Sequence, residues 1–153
     1  MTFFRRASAA AAAVLFSGLL LAPTAGAAGV PAPDLRPLTT FDDVDKNGAQ
    51  VTYGPYFIWA VHSGKCLDVA GGTGATGDGV NVQQWSCLGS GQTNQRWYLD
   101  HLGNGKYNIR AVHSGKCLDV EGGTGATGDG VNVFQWSCLG SGQTNQQWAF
   151  SVD

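Results

Sequence analysis

An internal duplication constrains this sequence more than any other feature. Shifted by 51 positions, residues 60–99 lie on residues 111–150 with five differences, Ala70/Glu121, Gln83/Phe134, Arg96/Gln147, Tyr98/Ala149 and Leu99/Phe150. A repeat of this length is one supersecondary unit, which buries its apolar face only by packing on a neighbouring unit. We therefore expect two successive lobes that share a core.

Each copy predicts short β-strands separated by turns. In the second copy, residues 107–112 alternate in character, residues 113–116 form a turn and residues 117–120 form a strand. A Gly-rich stretch over 122–130 ends in the tight-turn pair Asp129-Gly130. Alternation restarts at Val131 and runs into Trp136, and a closing strand is expected around 146–148. Four short strands do not make a stable sheet alone, so the fold class is all-β with a shared core.

The first 27 residues predict an export signal. Arg5 and Arg6 precede an apolar run over 7–21, and Ala25-Gly26-Ala27 fits the signal-peptidase pattern, which places cleavage after Ala27. The run is shorter than the ~20 residues that cross a bilayer. We predict secretion and no membrane span. Residues 28–52 are expected to form a Pro- and Asp-containing arm, followed by a domain over 53–153 with repeats at 53–101 and 104–153.

Charge and cysteine content narrow the class further. After cleavage, seven Lys/Arg stand against eleven Asp/Glu, a formal charge of 7 − 11 = −4, whereas nucleic-acid binding needs a clustered basic surface. Four cysteines allow three pairings. Equal spacing favours one disulfide in each repeat, Cys66 with Cys87 and Cys117 with Cys138, each stabilising by about 3 kcal/mol on the chain-entropy model. Structural metal sites use C-x-x-C pairs, which are missing here, so we predict neither a metal nor a cofactor.

Two patterns that resemble known motifs are better explained as turns. Gly72-x-Gly74-x-x-Gly77 matches the dinucleotide fingerprint, but a strand follows it where the motif requires a helix. The stretch over 43–48 begins like a calcium loop, yet Gly54 stands where the twelfth-position Glu belongs. A polar surface turn is favoured there, with a weak ion site as the alternative.

Catalytic constellations are also missing from the sequence. His62-Ser63 and His113-Ser114 suggest parts of a hydrolytic triad, but adjacent side chains on an extended chain point to opposite faces. Glycoside hydrolysis needs two carboxylates that flank the scissile bond, and Glu121 is the only Glu in the chain. We predict that the protein is not an enzyme.

A set of polar and aromatic residues that recurs in both copies suits sugars. Sugars present hydroxyl groups and an apolar CH face, so their sites combine carboxylates and amides with an aromatic ring. Side chains two positions apart on a strand share a face, so we expect Gln83 beside the Trp85 ring and Phe134 beside the Trp136 ring. The candidate site residues are Asp68, Gln83, Trp85, Asn94 and Gln95, and Asp119, Phe134, Trp136, Asn145 and Gln146. Trp97 and Trp148 are interpreted as core residues.

The same residues carry a family resemblance. The runs Ser-Gly-Lys-Cys-Leu-Asp-Val, Val-x-x-Trp-x-Cys and Asn-Gln-x-Trp, each present twice, resemble the ricin B-type lectin repeat, also found as a carbohydrate-binding module. The resemblance implies a β-trefoil, which has three such repeats, and so an incomplete trefoil of two ~50-residue lobes here. It also implies glycan ligands of the galactose, xylose or arabinose type. Asp68 and Asp119 would accept hydrogen bonds from hydroxyls, Trp85 and Trp136 would stack, and the amides would support them.

This sequence departs from the family pattern at three points. Phe134 replaces the amide of Gln83, so the two sites are expected to differ, and Gln84 and Gln135 stand where the family has an apolar residue before Trp. The third repeat is missing. The arm could cover the open edge, chains could associate, or the edge could stay exposed and prone to aggregation. We favour a homo-oligomer that completes the trefoil.

Two other functions remain as hypotheses. A protein-interaction or inhibitory module could keep the scaffold and lose sugar binding, because fold does not fix function. It predicts no glycan retention and a stable complex with a secreted protein. An enzyme would require a catalytic set that the residues do not supply.

Overall fold

The computed structural model describes residues 51–151. The predicted export signal, most of the predicted arm and the calcium-loop-like stretch lie outside the described residues. Within 51–151 the chain forms nine strands: β1 (Thr52–Tyr56), β2 (Trp59–Ala60), β3 (Lys65–Val69), β4 (Val80–Trp85), β5 (Trp97–Gly103), β6 (Lys106–Ala111), β7 (Cys117–Val120), β8 (Val133–Trp136) and β9 (Trp148–Ala149). β1 thus begins one residue before the predicted start of the domain.

The strands pair antiparallel in one curled sheet, which confirms the all-β prediction. The order is β1-β5-β6-β7-β8-β4-β3-β2, and β9 pairs with β6. The hairpins β3–β4 and β7–β8 have the same register, with Asp68 opposite Gln83 and Asp119 opposite Phe134. Directly opposite side chains in an antiparallel pair are in contact. The register therefore brings each aspartate together with the residue that differs between the repeats.

One disulfide closes each repeat, as the spacing predicted. Cys66 bonds to Cys87 and Cys117 bonds to Cys138, with Cα–Cα distances of 5.2 and 5.0 Å. Each bond ties the first strand of a hairpin to the loop that follows the second strand. That loop forms one wall of the candidate site described below.

Both repeats contribute to a single core, as expected for lobes that cannot fold alone. The long central hairpin β5–β6 pairs the last strand of the first repeat with the first strand of the second. Buried apolar residues alternate along both strands, following the period of two that puts every second side chain on one face. The core residues are Val69, Trp97, Leu99, Tyr107, Ile109, Ala111 and Leu118. Trp97 is fully buried and Trp148 packs against this cluster, in line with their interpretation as core residues.

The segment before each core tryptophan differs from the prediction. Residues Thr93–Gln95 and Thr144–Gln146 form single 3₁₀ turns, and β9 starts only at Trp148, so the prediction of a strand at 146–147 was wrong. Backbone bonds from Gln146 N to Gln143 O (3.1 Å) and from Gln147 N to Thr144 O (3.0 Å) close the turn. The tight turn directs the Asn and Gln side chains inwards, toward the aspartate of their own repeat.

The two repeats also meet along a strand edge. β4 pairs with β8, with Val80 opposite Gln135 and Asn81 opposite Phe134. In the second repeat, strand β8 begins only at Val133, two residues later than the sequence pattern predicted. Residues Val131 and Asn132 have no strand partner within 51–151, whereas their counterparts Val80 and Asn81 do. Because the two segments have the same sequence, pairing with a neighbouring lobe decides whether these two residues become part of the strand.

A buried glutamine fastens this contact between repeats. Gln135 is 0 % exposed, and its Nε2 donates to the carbonyl oxygens of Ala75 (2.7 Å) and Gly77 (2.8 Å) in the Gly-rich loop of the first repeat. Its Oε1 accepts from Ser114 Oγ at 2.7 Å. This polar residue occupies the place of an apolar one because it meets backbone carbonyls there.

Charged groups reinforce the same contact. Asp78 in the loop of the first repeat accepts from Lys116 Nζ (2.6 Å) and from Ser137 N (2.7 Å). The hydrogen bond from Lys116, with help from Ser137, lowers the pKa of the Asp78 carboxyl. His113 Nε2 donates to Ala75 O at 3.1 Å. Burial lowers the pKa of this histidine, against the opposing effect of the bond to Ala75.

Candidate functional site

Two shallow pockets, one in each repeat, contain most of the predicted site residues. Their volumes are about 240 Å³ in the first repeat and about 230 Å³ in the second. The first is lined by Asp68, Gly71, Gly72, Gln83, Trp85, Leu88, Gln92 and Asn94. The second is lined by Asp119, Gly122, Gly123, Phe134, Trp136, Leu139, Gln143 and Asn145. All eight positions correspond through the 51-residue shift, so the repeat itself encodes the pocket.

The aspartate of the first pocket is held by amide groups alone. Asp68 is buried; its Oδ1 accepts from Gln83 Nε2 (3.2 Å), and its Oδ2 accepts from Asn94 Nδ2 (2.8 Å) and Gln95 Nε2 (3.0 Å). A carboxylate offers about four lone-pair sites. Three are used here, which leaves about one for a ligand donor.

The aspartate of the second pocket has more acceptor capacity. Asp119 accepts from Asn145 Nδ2 at Oδ1 (3.0 Å) and from Gln146 Nε2 at Oδ2 (2.7 Å). Phe134 stands at the position of Gln83 and donates nothing. About two lone-pair sites therefore stay open, enough for two hydroxyl donors.

An asparagine in each pocket has an oxygen without a partner. Asn94 is 3 % exposed, and its Nδ2 donates to both Asp68 Oδ2 and Val69 O, which fixes the orientation of the amide. Its Oδ1 is buried and has no hydrogen-bond partner in the described part of the chain; Asn145 Oδ1 is in the same state. A buried acceptor without a donor costs free energy.

Two of the predicted glutamines, Gln95 and Gln146, lie beneath the pockets rather than in their walls. Gln95 is fully buried; besides its bond to Asp68, its Nε2 donates to Ser86 O (2.9 Å) and its Oε1 accepts from Leu88 N (2.9 Å). Gln146 makes the equivalent bonds to Ser137 and Leu139. These side chains position the aspartate and the loop that carries the leucine. The residues that line the pockets, and not these two glutamines, are in a position to contact a ligand.

Four of the five tryptophans form two pairs, two exposed rings at the pockets and two rings at the core, of which Trp97 is fully buried and Trp148 partly buried. Trp85 is 54 % exposed and Trp136 is 37 % exposed at the pocket walls. Trp97 and Trp148 donate from Nε1 to Leu67 O (3.1 Å) and Leu118 O (3.0 Å). An exposed indole whose ring faces a polar pocket can cover the CH face of a sugar.

Sequence reasoning missed four lining positions in each repeat. The glycines 71 and 72 have φ of 85° and 78° and turn the chain back over Asp68, a conformation that favours glycine. Leu88 and Gln92 lie on the loop after the disulfide. The position of Gly71 and Gly72, just after the strand that carries Asp68, could have identified them as pocket residues from the sequence. Nothing local distinguishes Leu88 and Gln92 from other loop residues.

The two pockets differ at one lining position. Gln83 in the first is Phe134 in the second, where the phenyl ring lies 5.5 Å from the Trp136 ring at 42°. The first pocket thus has a polar wall and the second an aromatic pair. Across the described residues, no group of three or more His, Cys, Asp or Glu side chains is arranged to hold a metal.

Comparison with known families decides the identity of the fold. The model of the ricin-type β-trefoil lectin domain-like family matches residues 41–136 and 93–153. The chain belongs to this family. Membership of the ricin-type lectin-like family indicates carbohydrate binding, and it confirms the β-trefoil class and the resemblance seen in the sequence.

Two solved structures are similar to this lectin-like chain. ThreeFoil, a designed threefold symmetric protein, is 50% identical with a TM-score of 0.53, and the match covers 61% of each chain. An exo-β-1,3-galactanase from Clostridium thermocellum is 35% identical with a TM-score of 0.52, and the match covers 65% of this chain and 20% of the enzyme. The chain therefore spans less than two thirds of either structure. A search of curated proteins gave no significant match.

Within residues 51–151, no helix is long and apolar enough to span a bilayer. The two disulfides are typical of proteins that fold outside the reducing cytoplasm.

Proposed function

We propose that this protein is a secreted, non-catalytic lectin that binds galactose- or xylose-type glycans at one shallow pocket in each repeat. The observation that carries the proposal is the repeated combination of an aspartate, an asparagine oxygen without a donor and an exposed tryptophan. These groups match the hydroxyls and the CH face of a sugar ring. The export signal predicted from residues 1–27 supports secretion.

The roles of the site residues follow from their contacts. Asp68 and Asp119 accept hydrogen bonds from ligand hydroxyls through the lone pairs that the amides leave open. Asn94 and Asn145 accept through Oδ1, while Gln95 and Gln146 hold the aspartates from below. Trp85 and Trp136 stack on the sugar ring. Gln83 offers an amide to the ligand in the first pocket, and Phe134 offers apolar surface in the second.

The size of the pockets favours a single sugar unit. Both are smaller than the ~300–1,000 Å³ that encloses a drug-sized ligand. One ring would be bound weakly, and two pockets on one chain would raise the avidity for a polymer with repeated sugars. The similar galactanase is named for a galactose polymer, which supports galactose among the candidate sugars.

Removal of both exposed rings tests the proposal. The double variant Trp85→Ala/Trp136→Ala is expected to lose retention on immobilised galactan and xylan, while wild type is retained on at least one of them. Val61→Ala is the control, because Val61 is an exposed apolar residue that does not line either pocket. Thermal unfolding of each variant confirms that it is folded.

Failure of folded wild type to bind any glycan on an array would contradict the proposal. That result, together with a stable complex with a secreted hydrolase or surface protein, would support the protein-interaction module instead. Hydrolysis of a glycan that one point mutation abolishes would revive the enzyme hypothesis.

A further inference from the structure

We propose that the open end of the described sheet binds a lobe of another copy of this chain, through a second use of the interface that joins its own two repeats. The inference is independent of sugar binding. It rests on the internal contact, whose residues all occur twice in the chain.

The internal interface has a loop side and a receiving side. On the loop side, the first repeat presents the carbonyls of Ala75 and Gly77 and the carboxylate of Asp78. On the receiving side, the second repeat presents His113, Ser114, Lys116, Gln135 and Ser137. The hydrogen bonds and the ion pair described above between this loop and the second repeat all join these two sets.

The second repeat has a free copy of the loop side. Ala126, Gly128 and Asp129 stand at the positions of Ala75, Gly77 and Asp78. Asp129 is exposed and forms no ion pair with any described residue. The loop side of the second repeat thus presents an uncompensated carboxylate.

The first repeat has a free copy of the receiving side. His62, Ser63, Lys65, Gln84 and Ser86 are identical in type to the five receiving residues. Gln84 is exposed and accepts only from Ser63 Oγ (2.8 Å), and Lys65 Nζ reaches only Ser86 Oγ (3.5 Å) among the residues described. A cation at Lys65 and an anion at Asp129 give the two free sides opposite charge.

The backbone edges match in the same way. Val80 and Asn81 pair with the outer edge of β8, whereas Val131 and Asn132 have no strand to pair with in the described chain. An unpaired strand edge is a template for another strand. The counterpart of the edge on β8 is the edge of β4 at Gln83 and Gln84, which belongs to the free receiving side.

The count of lobes indicates another copy as the occupant. ThreeFoil is threefold symmetric, and this chain matches 61% of it, close to two of three equal lobes. Three copies of a two-lobe chain carry six lobes, the smallest number that divides into complete sets of three. In that assembly, two chains each keep their two lobes together, and the third chain gives one lobe to each of them. The two lobes of the third chain no longer contact each other, and each contacts a neighbouring chain instead.

Sedimentation equilibrium of the full chain tests this proposal. Wild type is expected to reach the mass of three chains as concentration rises. Lys65→Glu and Asp129→Lys, at two exposed or half-exposed positions on the free sides, are each expected to stay at the mass of one chain. Lys106→Glu and Glu121→Lys make the same charge changes outside both sides and are expected to associate like wild type.

Wild type that remains a single chain up to millimolar concentration would overturn the proposal. Association that both Lys65→Glu and Asp129→Lys leave intact would also overturn it. Glycan retention measured on the same samples separates this result from the lectin proposal, because each pocket is formed by residues of one repeat.

Discussion

The two repeats differ in five residues over the duplicated stretch, yet their surroundings are not alike. Gln135 is fully buried under the loop of the first repeat, while its counterpart Gln84 is exposed. Gly79 of the first repeat lies against the Trp136 ring, since a Cβ added to this glycine would be 3.7 Å from the ring. Trp136 is also less exposed than Trp85. The loop of the first repeat packs on β8 at Gln135, whereas the equivalent face of β4, at Gln84, is exposed in the described chain.

This comparison separates what a repeat encodes from what its position in the chain provides. The disulfide, the aspartate with its amides and the pocket itself occur in both repeats, because their contacts are made within one repeat. The contacts that cover Gln135 and the Trp136 ring, in contrast, come from the other repeat. Three predictions sharpen this distinction.

The largest expected effect on stability is a difference between Gln135 and Gln84, the glutamines that directly precede the two exposed tryptophans. Gln135→Leu removes the buried donor of the Ala75 and Gly77 carbonyls and leaves Ala75 O only its bond from His113, at a cost of about 3 kcal/mol in the free energy of unfolding. Gln84→Leu changes an exposed side chain and is expected to cost less than about 0.5 kcal/mol. Urea unfolding of both variants measures the difference. Equal losses would show that the repeats are equivalent after all.

An exchange of the residues that differ between the pockets is expected to exchange their preferences. Gln83→Phe frees a lone pair of Asp68 and adds apolar surface, and Phe134→Gln does the reverse. One hydrogen bond of about 1 kcal/mol corresponds to roughly a fivefold change in Kd. Calorimetry with galactosides and xylosides, on chains whose other pocket carries a Trp→Ala change, resolves each site. Preferences that stay with the repeat rather than with the exchanged residue would contradict the assignment.

The smallest effect concerns pH. Burial lowers the pKa of His113 below its ordinary value of 6.5 in the folded chain. Below pH 6.5 the unfolded chain therefore binds more protons than the folded one, and stability falls as pH drops toward the lowered pKa. His113→Gln is expected to flatten this part of the stability curve.

The counterpart His62→Gln is the control for this pH effect, because His62 is exposed and meets no lobe in the described chain. Chemical unfolding between pH 5 and 7.5 compares the two variants with wild type. An equal slope for wild type and His113→Gln would exclude His113 as the titrating group.

Much of the fold and site could be predicted because it is local. Equal cysteine spacing gave the disulfides, and the alternation of residues gave the short strands that carry Asp68 and Gln83. The register that puts these two residues opposite each other comes from the structure. The turn before Trp148 was missed because its 3₁₀ geometry depends on where its amide side chains bond. The late start of β8 and the burial of Gln135 could not be read from the sequence, since the same residues stand in the other repeat. Only the fold shows which copy has a neighbour.

The central claim is that each repeat carries a sugar pocket with an exposed tryptophan, and the indole N–H resonances of the five tryptophans test it directly. In a titration of the chain with lactose or xylobiose, we expect the Trp85 and Trp136 signals to shift with two distinct Kd values. The Trp97 and Trp148 signals, held by backbone carbonyls, should stay in place. No shift at Trp85 and Trp136 with any glycan that the chain retains would contradict the account.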